Sequence, residues 1–223
     1  MSTVKKYTET KQLLDSISSS MCFAKWTQVS IRLGDGYNHS CHHPAKHLIP
    51  LSELKHNPSA LHNTEFKKTI RRQMLAGKRP NECNYCWIAE DSKQEGEDFY
   101  SDRIKKSSQD WSRSLADKII SDPELNINPP YVEVSFNNTC NLKCSYCSPQ
   151  FSSSWQQEVE QHGAYPTSTA HNDPSHFQGR NRPIPVREHN PYVEAFWQWW
   201  PELYKEIEHL RMTGGEPLMD KNT

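Results

Sequence analysis

Three cysteines stand close together in the second half of the chain, at Cys140, Cys144 and Cys147. They follow residues 131–136, whose alternating apolar side chains predict a β-strand. Three thiolates on one loop can bind three irons of a cubic iron–sulfur cluster and leave the fourth iron open to another ligand. A zinc site is the alternative, and it needs a fourth protein ligand, for which spacing leaves His162 and His171 available.

A second motif follows another predicted strand, residues 208–213, and consists of Gly214, Gly215, Glu216 and Pro217. The two glycines allow a ligand to approach the backbone closely, and the proline stiffens the exit of the turn. Backbone carbonyls and a carboxylate suit an ammonium group. Taken alone, such a segment is an ordinary turn, so its meaning depends on the cysteine loop.

Together the two motifs resemble the radical S-adenosylmethionine (radical SAM) superfamily. Its three cysteines have the same three- and two-residue spacing, with an aromatic residue, here Tyr146, before the last one. The resemblance implies that Cys140, Cys144 and Cys147 bind a [4Fe–4S] cluster whose fourth iron is chelated by SAM. It also implies that Gly214, Gly215, Glu216 and Pro217 form the segment that holds the SAM amino group, and that Tyr146 packs near the adenine.

The activity implied by this resemblance is reductive cleavage of SAM to a 5′-deoxyadenosyl radical, which abstracts hydrogen from a substrate. Cluster and SAM carry that chemistry, and the protein supplies orientation and water exclusion. An electron donor such as flavodoxin or ferredoxin is the implied partner. The substrate, a peptide or small molecule, is not identified by the sequence.

The other four cysteines are dispersed, at Cys22, Cys41, Cys83 and Cys86. The first two flank residues 27–40, whose alternating pattern and glycine-containing turn predict a β-hairpin. Four thiolates form a complete metal site, and spacing alone leaves zinc and iron–sulfur both open.

The spacing Gly-x4-Cys followed by Cys-x2-Cys resembles the twitch domain, the shorter relative of the SPASM domain. This resemblance implies an auxiliary [4Fe–4S] cluster on Cys22, Cys41, Cys83 and Cys86, whereas in most relatives the auxiliary domain follows the barrel. Ser92 occupies the position of a further SPASM cysteine, which disfavours a second auxiliary cluster. His42 and His43 could replace a ligand, but we interpret them as loop residues.

Several helices are predicted from their capping residues. Residues 64–76 have Thr64 as N-cap and Gly77 after the end, and residues 152–163 end at a glycine. One further helix is expected over 110–120 and another from Pro191, where four aromatic side chains favour packing against the sheet. Residues 164–190 are expected to form a long loop.

The expected fold is α/β, a small α+β twitch-like domain followed by the start of a partial (β/α)6 TIM barrel. The boundaries are an N-terminal segment 1–19, a cluster domain 20–95, a linker 96–129 and an incomplete radical SAM core 130–223. Two barrel strands cannot close a sheet, so we expect a fragment or half of a split protein, inactive by itself.

Composition limits the other possibilities. The 223 residues include 26 basic and 27 acidic side chains, a balance that gives no indication of nucleic acid as a partner. The absence of a long apolar run argues against a membrane span, and we expect a cytoplasmic protein, where clustered cysteines bind metal more often than they form disulfides. The rival function is a non-enzymatic zinc- or iron–sulfur-binding interaction module.

Overall fold

The computed structural model describes residues 2–94, 99–122, 124–166, 168 and 173–223. The strands are β1 (Gln28–Arg32), β2 (Tyr37–His39), β3 (His47–Leu48), β4 (Tyr131–Ser135) and β5 (His209–Thr213). The helices of this part of the chain are α1 (Thr3–Ile17), α2 (Ala24–Thr27), α3 (Leu51–Leu54), α4 (Glu65–Leu75), α5 (Asn84–Asp91), α6 (Asp102–Ser107), α7 (Asp110–Arg113), α8 (Ala116–Ser121), α9 (Ser153–His162) and α10 (Pro191–Leu203).

The five strands form one mixed sheet in the order β3-β2-β1-β4-β5. β1 and β2 are antiparallel, which confirms the hairpin predicted between Cys22 and Cys41. β1, β4 and β5 run parallel, so that Ile31, Val134 and Met212 lie side by side. Both strands predicted in the second half of the chain are therefore confirmed, and the segments that follow them leave the same edge of the sheet.

One face of this sheet is apolar and packs against α10. The buried residues of β1 and β4 on this face are Val29, Ile31, Val132 and Val134. They share one core cluster with Phe196, Trp199 and Leu203 of the helix. Phe196 and Trp199 of α10 thus serve packing, as predicted, and the helix continues through Pro201 to Leu203.

The capping predictions for α4 and α9 are confirmed. The Thr64 hydroxyl accepts a hydrogen bond from the backbone N of Lys67, and Gly77 has a φ of 72°. Ser152 caps α9 in the same way.

The single helix expected over 110–120 is instead two short helices, α7 and α8. The side chains of α7 and α8 pack against different parts of the molecule, so the chain changes direction between the two helices. Trp111 of α7 stacks on Tyr131, with ring centroids 5.6 Å apart. Ile119 of α8 is buried in a second core cluster with Leu14 and Trp26.

The α/β class is confirmed, and its centre is a five-stranded mixed sheet. The hairpin from the expected cluster domain 20–95 and the two strands from 130–223 belong to this same sheet. The boundary placed between 95 and 96 lies outside the described residues. Within the described part of the chain, none of the helices has both the length and the apolarity needed to cross a bilayer.

Candidate metal centres

The four dispersed cysteines come together at one cavity. Cys22 precedes α2, Cys41 follows β2, and Cys83 and Cys86 lie at the beginning of α5. All four side chains line the cavity. All seven cysteines of the chain are free thiols. The hairpin and the α5 turn therefore bring these four cysteines to one cavity.

Burial controls the ionisation of these thiols. It raises the pKa of Cys83 and of Cys86 to about 12, and the pKa of Cys41 is raised for the same reason. Neutral thiols are consequently favoured in the cavity at neutral pH. A bound metal must displace those protons, so metal affinity at this site increases with pH.

The spacing of the sulfur atoms bears on the choice of metal. Tetrahedral zinc with Zn–S bonds of about 2.3 Å holds its four sulfurs within about 4 Å of one another. Among the described residues, the ligand atoms that meet in a group of three within 4.8 Å belong to His42, His43 and Asp102. Four thiolates suit either tetrahedral zinc or a cluster in which each thiolate binds a different iron.

His42, His43 and Asp102 lie beside this cavity. His43 Nε2 is 2.7 Å from an Asp102 carboxylate oxygen, and its ring stacks on Tyr85 with centroids 3.5 Å apart. Lys106 Nζ is 3.5 Å from His42 Nδ1, and this positive charge opposes a divalent cation. We therefore interpret the two histidines as loop residues whose contacts hold the Cys41 loop against α5 and α6.

The second group of cysteines lies on the loop between β4 and α9, and the beginning of α9 holds this loop. The backbone N of Cys140 donates to Ser153 Oγ at 3.0 Å, and Ser154 Oγ donates to the Cys140 carbonyl at 2.7 Å. The indole N of Trp155 donates to the Cys144 carbonyl at 3.1 Å. These bonds fix the loop backbone while its three thiols remain partly exposed.

The glycine-rich segment lies directly against the start of this loop. Because β4 and β5 are parallel neighbours, Ser135 is paired with Thr213, and the two segments leave the sheet side by side. The backbone N of Glu216 donates to the Thr139 carbonyl at 2.8 Å. A Cβ at Gly215 would lie 2.1 Å from that same carbonyl oxygen. Only glycine allows this approach, which brings Glu216 next to Cys140.

The remaining expected site residues have simple environments. Tyr146 is 92% exposed beside the cysteines. The Glu216 carboxylate accepts a hydrogen bond from the backbone N of Leu218, and Pro217 opens a short 3-10 turn. His162 ends α9, and among the described residues it joins no close three-ligand group with the thiols. His171 lies outside the described residues.

Two adjoining pockets that share Ser30 and Glu133 form a polar groove along the other face of the sheet. Near the first centre it is lined by Lys106, Glu133 and Arg211, and Arg211 pairs with Glu133 at 3.0 Å. Towards the cysteine loop it is lined by Gln150 and Phe151.

Sequence reasoning missed two cations beside the four thiols, Lys25 and Arg103. Lys25 stands only three residues after Cys22, inside a buried stretch, and this position was the available signal.

Comparison with known proteins finds no matching family model, no matching curated protein and no matching solved structure. The assignment of a function therefore depends on the two motifs and on the geometry described above.

Proposed function

We propose that this chain is a radical SAM protein that binds a catalytic [4Fe–4S] cluster, SAM and one auxiliary [4Fe–4S] cluster. The observation that carries the proposal is the contact between the three-cysteine loop and the Gly214–Pro217 segment. Two motifs that are separated in the chain by α9 and α10 meet through the backbone bond from Glu216 to Thr139. In open α/β sheets, ligands bind at this edge, beyond the carboxyl ends of parallel strands.

In the proposed site each residue has a separate task. Cys140, Cys144 and Cys147 bind three irons, and the fit is supported by three partly exposed thiols on a fixed backbone. When bound, the cluster and SAM supply reductive cleavage of a carbon–sulfur bond and a radical that abstracts hydrogen. The carboxylate of Glu216 accepts hydrogen bonds from the SAM ammonium, and the glycines bring backbone carbonyls close enough to help.

The four thiols at Cys22, Cys41, Cys83 and Cys86 would hold the auxiliary cluster. Their shared cavity supports this assignment. With one thiolate on each iron, this cluster has no open position, so electron transfer or support of the fold are its available roles.

The substrate would bind in the polar groove along the other face of the sheet. The groove offers both charges, from Glu133 and from Lys106 and Arg211, which suits a peptide or a small polar molecule. A flavodoxin or ferredoxin would supply the electron, and a cytoplasmic location, where such donors and reduced thiols coexist, fits this role.

The test compares two cysteine variants by iron content and by electron paramagnetic resonance (EPR) of the reduced protein with and without SAM. Cys144→Ala is expected to remove about half of the bound iron and the spectral change that SAM causes. Cys83→Ala is expected to keep the SAM-induced change, because its thiol serves only the auxiliary centre.

The proposal fails if SAM leaves the spectrum of the unsubstituted protein unchanged, or if both variants respond to SAM like the parent. The rival interaction module predicts a colourless protein with stoichiometric zinc, which metal analysis of the same samples detects.

A further inference from the structure

Four cationic side chains are buried around the four-thiol cavity. Lys25, Lys67, Arg71 and Arg103 are each no more than 3% exposed. Burying a cation is costly unless a negative charge or a full set of hydrogen bonds offsets the loss of water. Lys25 has such a partner in Glu82, and Arg103 has partners in Glu90 and Asp15.

Two of the four, Lys67 and Arg71, do not line the cavity. Lys67 contacts His62 Nδ1 at 2.7 Å, and burial together with nearby Arg71 holds the pKa of Lys67 well below its usual range. Arg71 donates to backbone and amide oxygens, including the Lys25 carbonyl at 3.1 Å. These contacts satisfy their hydrogen-bonding groups behind the cavity wall.

Lys25 faces the thiols directly. It lines the cavity with Cys41 and Cys83, and it forms an ion pair with Glu82. The Glu82 carboxylate holds the Lys25 ammonium at the cavity wall.

Arg103 is a second fixed cation that lines the same cavity. Its Nη1 donates to the Met21 carbonyl at 2.8 Å, one residue before Cys22. Its guanidinium lies 5.6 Å from the ring centroid of Trp87, and Glu90 accepts from its Nε at 2.8 Å. These contacts leave the side chain little freedom to move away from the cavity.

We propose that Lys25 and Arg103 are the counter-cations of a four-thiolate iron–sulfur centre and that they raise its reduction potential. The inference rests on the proposed auxiliary cluster. Reduction adds one negative charge to a centre that is already anionic. Fixed cations in a buried, low-dielectric surrounding stabilise the reduced form more than the oxidised form.

The experiment isolates the auxiliary centre by replacing Cys140, Cys144 and Cys147 with alanine in the full chain. The reconstituted protein is titrated with dithionite at controlled potentials, and the reduced cluster is followed by EPR. Lys25→Met and Arg103→Gln are each expected to lower the midpoint potential. Glu82→Gln removes a nearby negative charge and is expected to raise it.

Lys105→Met is the matched control. It removes a lysine of α6 whose side chain is 41% exposed, so water screens its charge and the potential should change far less. Unchanged potentials in Lys25→Met and Arg103→Gln would overturn the proposal. Should one of the two variants fail to fold, the potential of the other decides.

A centre that takes up zinc and no iron would also overturn the proposal. That outcome leaves the three-cysteine site untouched, because the SAM-induced spectral change of the unsubstituted chain is measured separately.

Discussion

Glu216 lies where the glycine-rich segment meets the cysteine loop. Its carboxylate accepts one hydrogen bond, from the Leu218 backbone N at 3.2 Å, and keeps further acceptor capacity. A ligand ammonium at this position would add charge-assisted hydrogen bonds, which contribute about 1.5–3 kcal/mol each. The negative charge of this one residue is therefore expected to account for a large share of SAM affinity.

Glu216→Gln keeps the shape and one carbonyl acceptor but removes the charge. SAM binding is expected to weaken by about 10- to 100-fold, as the loss of one charge-assisted bond implies. Titration of the reduced cluster with SAM, followed by EPR, measures the affinity. Glu208→Gln, at an exposed glutamate just before β5, is the control and should bind SAM like the parent. Equal affinities in the two variants would contradict the assigned role of Glu216.

At the level of elements, α9 has the task of holding the cysteine loop. Ser153 both accepts from the Cys140 backbone N and donates to the Cys140 carbonyl, at 3.0 and 3.1 Å. The sequence predicted the helix and its Ser152 cap from local residue types. The hydrogen bonds from these serines to the cysteine loop could not be predicted from local sequence, because they depend on how the loop folds over the helix.

Ser153→Ala removes both bonds to Cys140 and is expected to loosen the loop by about 1–2 kcal/mol. Iron should then leave the three-cysteine site faster under a chelator, while the four-thiol site keeps its iron. Timed iron release and amide hydrogen exchange at the loop measure this. Ser121→Ala, at the exposed end of α8, is the control. Equal iron loss from both sites would argue against a local effect.

The small strand β3 carries a pH-sensitive residue, His47. Burial, with Lys67 and Lys25 nearby, lowers its pKa to about 3. The unfolded chain therefore binds a proton at about pH 6.5, well before the folded chain does. The contribution of His47 to the free energy of unfolding falls by about 1.4 kcal/mol per pH unit as the pH drops from about 6.5 towards 3. Above about pH 6.5 this contribution does not change with pH.

His47→Gln should flatten this acid loss of stability. Urea unfolding at pH 7 and pH 5 measures the difference, and the exposed His189→Gln variant should retain the slope of the parent. A parental slope in His47→Gln would contradict the neutral, buried state of this side chain.

For the whole molecule, local residue patterns predicted the hairpin, the two parallel strands and the capped helices. They did not predict that β1 pairs with β4, since strand partners so distant in sequence leave no periodic signal. The buried Lys25 and Arg103 were missed for a related reason. Charged residues are normally exposed, and local patterns do not show that Lys25 pairs with Glu82 or that Arg103 pairs with Glu90.

The polar face of the sheet carries a groove that extends from Lys106 to Phe151. Under the proposed function, the substrate would bind in this groove.

Iron analysis and EPR of the anaerobically reconstituted chain, with and without SAM, test the central claim most directly. The account predicts a brown protein with about eight irons and a reduced spectrum that changes when SAM is added. A colourless protein containing zinc, or an iron-loaded protein whose reduced spectrum is the same with and without SAM, would contradict it.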